Sequence, residues 1–167
     1  MSAITFQPAV NESDIGLIAD LAREIWYEYY VQLIGRAQVD YMVSKFQTVP
    51  AMLAQLRSGY EYFLVQQQGQ SIGYTSIQAQ SDNSLFISKL YLLRSCRGSG
   101  TGRVVMTFIE DVALKRGIDR LWLTVNKGNP AVKMYERLGF QIAAAIVLDI
   151  GNGFVMDDFR MEKSLQA

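Results

Sequence analysis

The segment Leu90-Tyr91-Leu92-Leu93-Arg94-Ser95-Cys96-Arg97-Gly98-Ser99-Gly100-Thr101-Gly102-Arg103 runs from an apolar strand through a glycine-rich turn into a helix. That layout builds a phosphate site. The first amides of a helix have no intrahelical acceptor and sit at the positive end of the helix dipole, so an anion there is stabilised. Gly98, Gly100 and Gly102 let the backbone come close to such an anion, and Arg97 and Arg103 are expected to add mobile positive charge. Spacing separates the known phosphate loops. A Walker loop needs Gly-Lys-Ser/Thr, but Gly102 is followed by Arg103-Val104. The dinucleotide pattern G-x-G-x-x-G would need glycine where the chain has Arg103 or Val105. Cys96 lies between Arg94 and Arg97, which would favour a thiolate, yet the chain has no histidine to act as its base. The same absence removes Ser-His catalysis and ordinary zinc sites, so no metal is expected.

What fits is Arg-x-x-Gly-x-Gly, written as Arg97, Gly100 and Gly102. Some thirty residues on, the buried-strand pattern Leu121-Trp122-Leu123-Thr124-Val125 is followed by Asn126-Lys127-Gly128-Asn129-Pro130 and then Ala131 to Phe140, giving Asn-x-x-Ala-x-x-x-Tyr-x-x-x-Gly-Phe. The two ordered motifs together resemble the core of the GNAT N-acetyltransferases, most strongly from Leu85 to Phe140.

The resemblance implies acetyl-CoA as co-substrate, with its pyrophosphate on the turn Arg97, Gly98, Ser99, Gly100, Thr101, Gly102 and Arg103. Main-chain amides of Leu90, Tyr91 and Leu92 would polarise the thioester carbonyl. Tyr135 would protonate the departing thiolate; its position in the apolar stripe Ala131, Met134, Tyr135 and Leu138 equally suits core packing. Asn129 precedes Pro130, which suits a helix cap, and in the family this residue also contacts the coenzyme. Attack by an amine of pKa ~10 further requires that a proton leave it. Polyamine-specific members often carry a carboxylate on the strand before the loop, where this chain has Ser88-Lys89. Glu24, Glu28 and Glu61 are the acidic candidates nearest the expected acceptor groove.

Acceptor choice is expected to rest on the first helices, where Trp26, Tyr27 and Tyr30, with Tyr29 nearby, could hold a cationic amine by cation–π contact or could be core. Ile25-Trp26 through Met42, with Phe154 to Lys163, resembles the PaiA-like branch, members of which have been linked to spermidine and other polyamines. The expected reaction is direct acetyl transfer to a primary amine of a small molecule. The alternatives are a protein or peptide amine as acceptor, and a non-catalytic coenzyme A-binding regulatory module.

The rest of the chain must position these groups. With 167 residues, 50% hydrophobic content and no net charge, a single domain over residues 1–167 is expected, and bulk electrostatics points to no nucleic-acid or membrane partner. No apolar run is long enough to span a bilayer and no signal-peptide layout opens the chain, so the cytoplasm is the expected location. Periodicity predicts a strand at Ala3 to Gln7 and helices at Ser13 to Tyr30, Val39 to Phe46 and Ala51 to Arg57. Strands follow at Glu61 to Gln67, Ser71 to Gln78 and Leu85 to Leu93, then helix, strand and helix through the two motifs. Two closing strands, Gln141 to Asp149 and Phe154 to Lys163, flank Gly151-Asn152-Gly153. The resemblance implies an α/β (α+β) fold: a mixed, mostly antiparallel sheet of about seven strands flanked by helices and splayed between strands 4 and 5. It also implies room for a homodimer through the last strands.

Overall fold

The computed structural model describes residues 3–165. Among these residues the chain groups into two compact units, one of residues up to Gln78 with Lys89–Met106, the other of Ala79–Ser88 with Thr107 onward. Strand pairing gives a seven-stranded mixed sheet in the order β1-β2-β3-β4-β5-β7-β6, with β1 Ile4–Pro8, β2 Glu61–Gln67, β3 Gln70–Ala79, β4 Ser84–Leu92, β5 Arg120–Asn126, β6 Gln141–Gly151 and β7 Phe154–Ser164.

The first unit starts with β1 and α1 (Glu12–Tyr29). Asn11 caps that helix, its side chain accepting from the Asp14 amide at 2.8 Å, and Glu12 and Asp14 place negative charge in the first turn. Ile15, Ile18, Leu21, Ala22, Ile25 and Trp26 then bury one face. A one-turn helix α2 (Val31–Ile34) precedes α3 (Arg36–Phe46) and α4 (Val49–Arg57). The Thr48 hydroxyl caps α4 on the Ala51 amide at 3.3 Å, with Pro50 in the first turn where its missing N–H costs nothing. Strands β1 and β2 pair antiparallel from Ile4↔Gln67 to Pro8↔Phe63, and β2 pairs antiparallel with β3 across a bulge at Val65/Gln66. Four consecutive buried residues, Tyr62 to Val65, mark β2 as a strand covered on both faces.

In the second unit, β4 pairs parallel with β5 over three registered positions, Ser84↔Arg120 to Phe86↔Trp122. The helix between them, α5 (Thr101–Lys115), is followed by Gly117 with φ +72°, a left-handed stop after its last turn. Strand β7 pairs antiparallel with β5 from Arg120↔Ser164 to Asn126↔Asp158, and β6 pairs with the other edge of β7. Helix α6 (Ala131–Arg137) precedes β6. Lys163 ties the middle of α5 to the C-terminal end of α6, its Nζ donating to Glu110 at 2.6 Å and to the Leu138 carbonyl at 2.7 Å. Among the described residues no helix is long and apolar enough to cross a membrane.

The element order is the expected one, with α2 added and β4 ending at Leu92, followed by a single 3-10 turn at Arg94–Cys96. Four residues are too few for a 3.6-residue period to show, which is why α2 left no mark in the sequence pattern.

Candidate functional site

The glycine-rich turn in the first unit begins where β4 ends. Gly73 on β3 fixes that end: a Cβ there would lie 2.3 Å from the Tyr91 carbonyl oxygen and 2.7 Å from Leu92 Cδ2. Only glycine lets β3 run this close to Tyr91 and Leu92. The Leu93 amide donates to the Ile72 carbonyl at 2.8 Å and holds the chain there as it leaves the strand.

Gly98 and Gly100 have φ of +77° and +85°, and a Cβ at either would meet no atom within 4 Å. The protein's own packing therefore does not require glycine at these two positions; the left-handed backbone does, and it leaves the turn open on that side. The Ser99 hydroxyl donates to the Cys96 carbonyl at 2.9 Å and lies 3.0 Å from the buried Thr101 hydroxyl. The Val104 amide donates to the Gly100 carbonyl at 3.2 Å and starts α5, so the first amides of that helix sit in the glycine turn.

Arg97 corrects the sequence expectation of mobile charge. Its Nε donates to the Leu92 carbonyl at 3.0 Å, and its two terminal nitrogens donate to the Glu28 carboxylate at 3.3 and 2.5 Å. The guanidinium also lies 4.8 Å from the Tyr29 ring centroid. A planar cation held by a bidentate carboxylate, a carbonyl and a ring is fixed in place. Glu28, one of three acidic candidates for the proton acceptor, is thereby committed to Arg97, whereas Glu24 is exposed and Glu61 half-buried.

The aromatic candidates divide. Trp26 and Tyr30, one helical turn apart, stack at 4.3 Å, and both meet Tyr91 edge-on at 5.6 and 6.1 Å. Tyr27, next to Trp26 on α1, turns toward α3. Its hydroxyl donates to Asp40, and Arg36 lies over its ring at 5.3 Å. Lys89 on β4, where the resemblance leads to an expected carboxylate, is 5% exposed. Its Nζ donates to Gln55 Oε1 at 2.8 Å and to the Tyr62 hydroxyl, which itself donates to Gln55. Burial with no carboxylate beside it brings the amine down to about 7.

In the second unit, Asn129 is buried and its Oδ1 accepts from the Ala131 amide at 2.9 Å. It caps α6 as predicted, the helix starting at Ala131 rather than at Pro130. Tyr135 is buried on α6 with its ring edge-on to Phe140 at 5.7 Å. Asp158 was not anticipated. It lies on β7, is 6% exposed, and burial raises its carboxyl to about 6, with Asp157 adding to the rise. The available signal was alternation: in Phe154-Val155-Met156-Asp157-Asp158, the even positions face inward.

An anionic, phosphate-bearing co-substrate suits this donor set, which offers helix-start amides, an open glycine cradle and a fixed guanidinium. Among the described residues no group of three or more Cys, Asp or Glu could hold a metal ion.

Comparison with known proteins agrees. The model of the acetyltransferase (GNAT) family matches residues 19–140. An uncharacterized N-acetyltransferase of Mycobacterium bovis is 32% identical over 93 residues, which are 53% of this chain and 60% of that protein, so the chain spans less than two thirds of this curated relative. The crystal structure of a PaiA N-acetyltransferase from Thermoplasma acidophilum in complex with coenzyme A is similar over 97% of this chain and 99% of that one, with TM-score 0.81 and 20% identity. A chimera of the spermidine N-acetyltransferase SpeG from Vibrio cholerae and hSSAT is similar over 96% of this chain and 95% of that one, with TM-score 0.72 and 19% identity.

Proposed function

The chain belongs to the acetyltransferase (GNAT) family, and we propose that it binds acetyl-CoA and transfers the acetyl group directly to a primary amine of a small molecule, a polyamine among the candidates. The observation that carries the reading is the turn before α5, where Gly98 and Gly100 hold left-handed backbone with open space beside them and Arg97 is fixed between Glu28 and Tyr29. A pyrophosphate there would take the amides of Gly98, Ser99, Gly100, Thr101, Gly102 and Arg103, with the dipole of a 15-residue helix behind them.

Leu90, Tyr91 and Leu92 serve as the main-chain donors that polarise the thioester carbonyl. Asn129 contributes to coenzyme binding besides capping α6, and Tyr135 protonates the leaving thiolate, being a neutral donor at pH 7. Trp26 and Tyr30, joined by Tyr91 rather than by Tyr27, form the aromatic wall for the acceptor amine. The cytoplasm is part of the same proposal, supported by the unpaired Cys96. So is a homodimer through the last strands, supported by the exposed apolar residues Ile142, Val147, Leu148 and Val155.

The test is free-thiol release from acetyl-CoA against polyamines, amino acids, aminoglycosides and lysine peptides, with coenzyme binding followed by calorimetry. Turnover is expected on a small-molecule amine. Turnover on peptides alone would move the acceptor to a protein amine, and tight binding without turnover would favour the regulatory module. Gly100→Val should lower coenzyme affinity at least about 100-fold, because a side chain would fill the cradle. Unchanged affinity would remove the turn from the site.

A further inference from the structure

Three groups of unequal kind hold Arg97. Its Nε donates to the Leu92 carbonyl at 3.0 Å and its guanidinium carbon lies 4.8 Å from the Tyr29 ring centroid, two uncharged supports that fix the plane of the cation. Only the two terminal nitrogens meet a charge, donating to the Glu28 carboxylate at 3.3 and 2.5 Å. Those nitrogens form the fork that also fits a phosphate, so carboxylate and phosphate compete for the same atoms. The side chains of Arg97 and Glu28 are 28% and 29% exposed, and an ion pair in such contact with water is weak enough to exchange. Glu28 also stands where the helix disfavours a carboxylate. It lies in the last turn of α1, at the negative end of the helix dipole, and that turn holds no basic residue. Beside it, Tyr29 meets Tyr30 edge-on at 4.9 Å, and Tyr30 stacks on Trp26 at 4.3 Å and meets Tyr91 at 6.1 Å. The end of α1 thus carries both the charged partner of Arg97 and two rings of the acceptor wall.

We propose that Glu28 is shared between the two ligands: a coenzyme phosphate takes the terminal nitrogens of Arg97, and the carboxylate this releases receives the ammonium of the acceptor beside Trp26, Tyr30 and Tyr91. The inference rests on the acetyl-transfer reading above and deepens it, since it makes the acceptor a cationic amine whose binding depends on bound coenzyme. Arg97 stays in place through the exchange, because Leu92 and Tyr29 continue to hold it and only its charged partner changes. A primary ammonium suits the released carboxylate. It brings a positive charge and three donors in place of the guanidinium, and aromatic faces stand next to the place it would take. The exchange also gives the coupling two definite arrangements, Arg97 on carboxylate or Arg97 on phosphate. By linkage, the factor that bound coenzyme adds to amine affinity is the factor that bound amine adds to coenzyme affinity.

The experiment titrates n-hexylamine and its neutral isostere 1-hexanol by calorimetry at neutral pH and about 0.15 M salt, with and without saturating coenzyme A. Wild type is compared with Glu28→Gln and, as control, with Asp20→Asn, which alters an exposed carboxylate on the same helix, all matched for thermal melting. Coenzyme A should raise the n-hexylamine affinity of the wild type at least about fivefold and change that of 1-hexanol by less than about twofold. Glu28→Gln should cut the gain below about twofold without weakening coenzyme A binding, and Asp20→Asn should behave as wild type. A wild type whose amine affinity ignores the coenzyme overturns the proposal. So does a Glu28→Gln protein that keeps the gain, because the gain would then come from the coenzyme's own negative charge. Weaker coenzyme A binding by Glu28→Gln overturns it as well, since the carboxylate would then aim the guanidinium rather than compete for it. In each of these cases thiol release still decides the acetyl-transfer reading. If coenzyme A does not bind, that reading falls and inorganic pyrophosphate replaces it as effector: a Glu28-dependent gain in amine affinity then upholds the exchange, and no gain overturns it.

Discussion

Lys89 and Asp158 are both ionisable and both nearly sealed from water, yet the chain treats them in opposite ways. Around Lys89, Gln55 and Tyr62 close a ring of neutral hydrogen-bonding groups that accepts from the amine and links α4, β2 and β4. Around Asp158 the sheet supplies an uncharged register neighbour on either side, and the carboxylate has no ion-pair partner among the described residues. The first arrangement completes itself within the fold. The second has no counter-charge among the described residues. Two ionisable groups of nearly equal burial thus differ in the completeness of their partners.

The contrast breaks most visibly in how stability depends on pH. Lys89 has its folded pKa lowered from 10.5 to about 7, so between those values the unfolded chain holds the proton and the folded chain does not. Stability attributable to Lys89 therefore rises as pH rises from about 7 towards 10.5. The span bounds the effect at roughly 4–5 kcal/mol. Lys89→Met should flatten that rise in denaturant titrations at a series of pH values. An unchanged slope would mean that the Gln55–Tyr62 ring already stabilises the charged amine.

Asp158 should give a smaller slope of the opposite sign. Its folded pKa is raised from 3.8 to about 6, so within that window the folded chain holds the proton and the unfolded chain has lost it. The stability it contributes is full below 3.8 and falls as pH rises through 6. Asp158→Asn should remove a loss of order 2–3 kcal/mol and leave a protein more stable than wild type at pH 7. If Asp158→Asn destabilises the protein at pH 7, the carboxylate is already satisfied inside the fold and the contrast with Lys89 disappears.

How much of this was legible in the sequence follows the same division. The glycine turn could be read because a left-handed backbone has to be written into residue type, and Gly98 and Gly100 meet that demand locally. The cap from Asn129 to Ala131 spans two residues and was equally readable. The environment of Lys89 was not, since Gln55 and Tyr62 lie 34 and 27 residues away, although its presence in place of a strand carboxylate was visible. Gly73 showed only as an isolated glycine within a strand pattern, and what it makes room for belongs to β4. That Tyr27 turns to α3 while Trp26 and Tyr30 stack was not legible, since neighbours on a helix point about 100° apart and only the packing of α3 shows which way each faces. Asp158 required knowing that the strand has two differently buried faces and that the nearby cations are already bound elsewhere.

Arg97 is the intermediate case, half-exposed and fully paired, and it carries the smallest expected effect. Its pair with Glu28, 28% and 29% exposed, is screened by water, so Glu28→Gln should change stability by no more than about 1 kcal/mol. The guanidinium keeps the Leu92 carbonyl and the Tyr29 ring as supports, and a glutamine oxygen can still accept from it. What the substitution removes is a negative charge beside the glycine turn. If the pair serves mainly to neutralise Arg97 while the turn is empty, coenzyme A affinity should rise two- to fivefold at low salt, and the gain should fade as ionic strength shortens the screening length. If the carboxylate is instead needed to aim the guanidinium, affinity should fall at every salt concentration. Calorimetric titration at two ionic strengths separates the outcomes, and a fall would place Glu28 with Gln55 and Tyr62, among the residues that complete a charged group rather than restrain it.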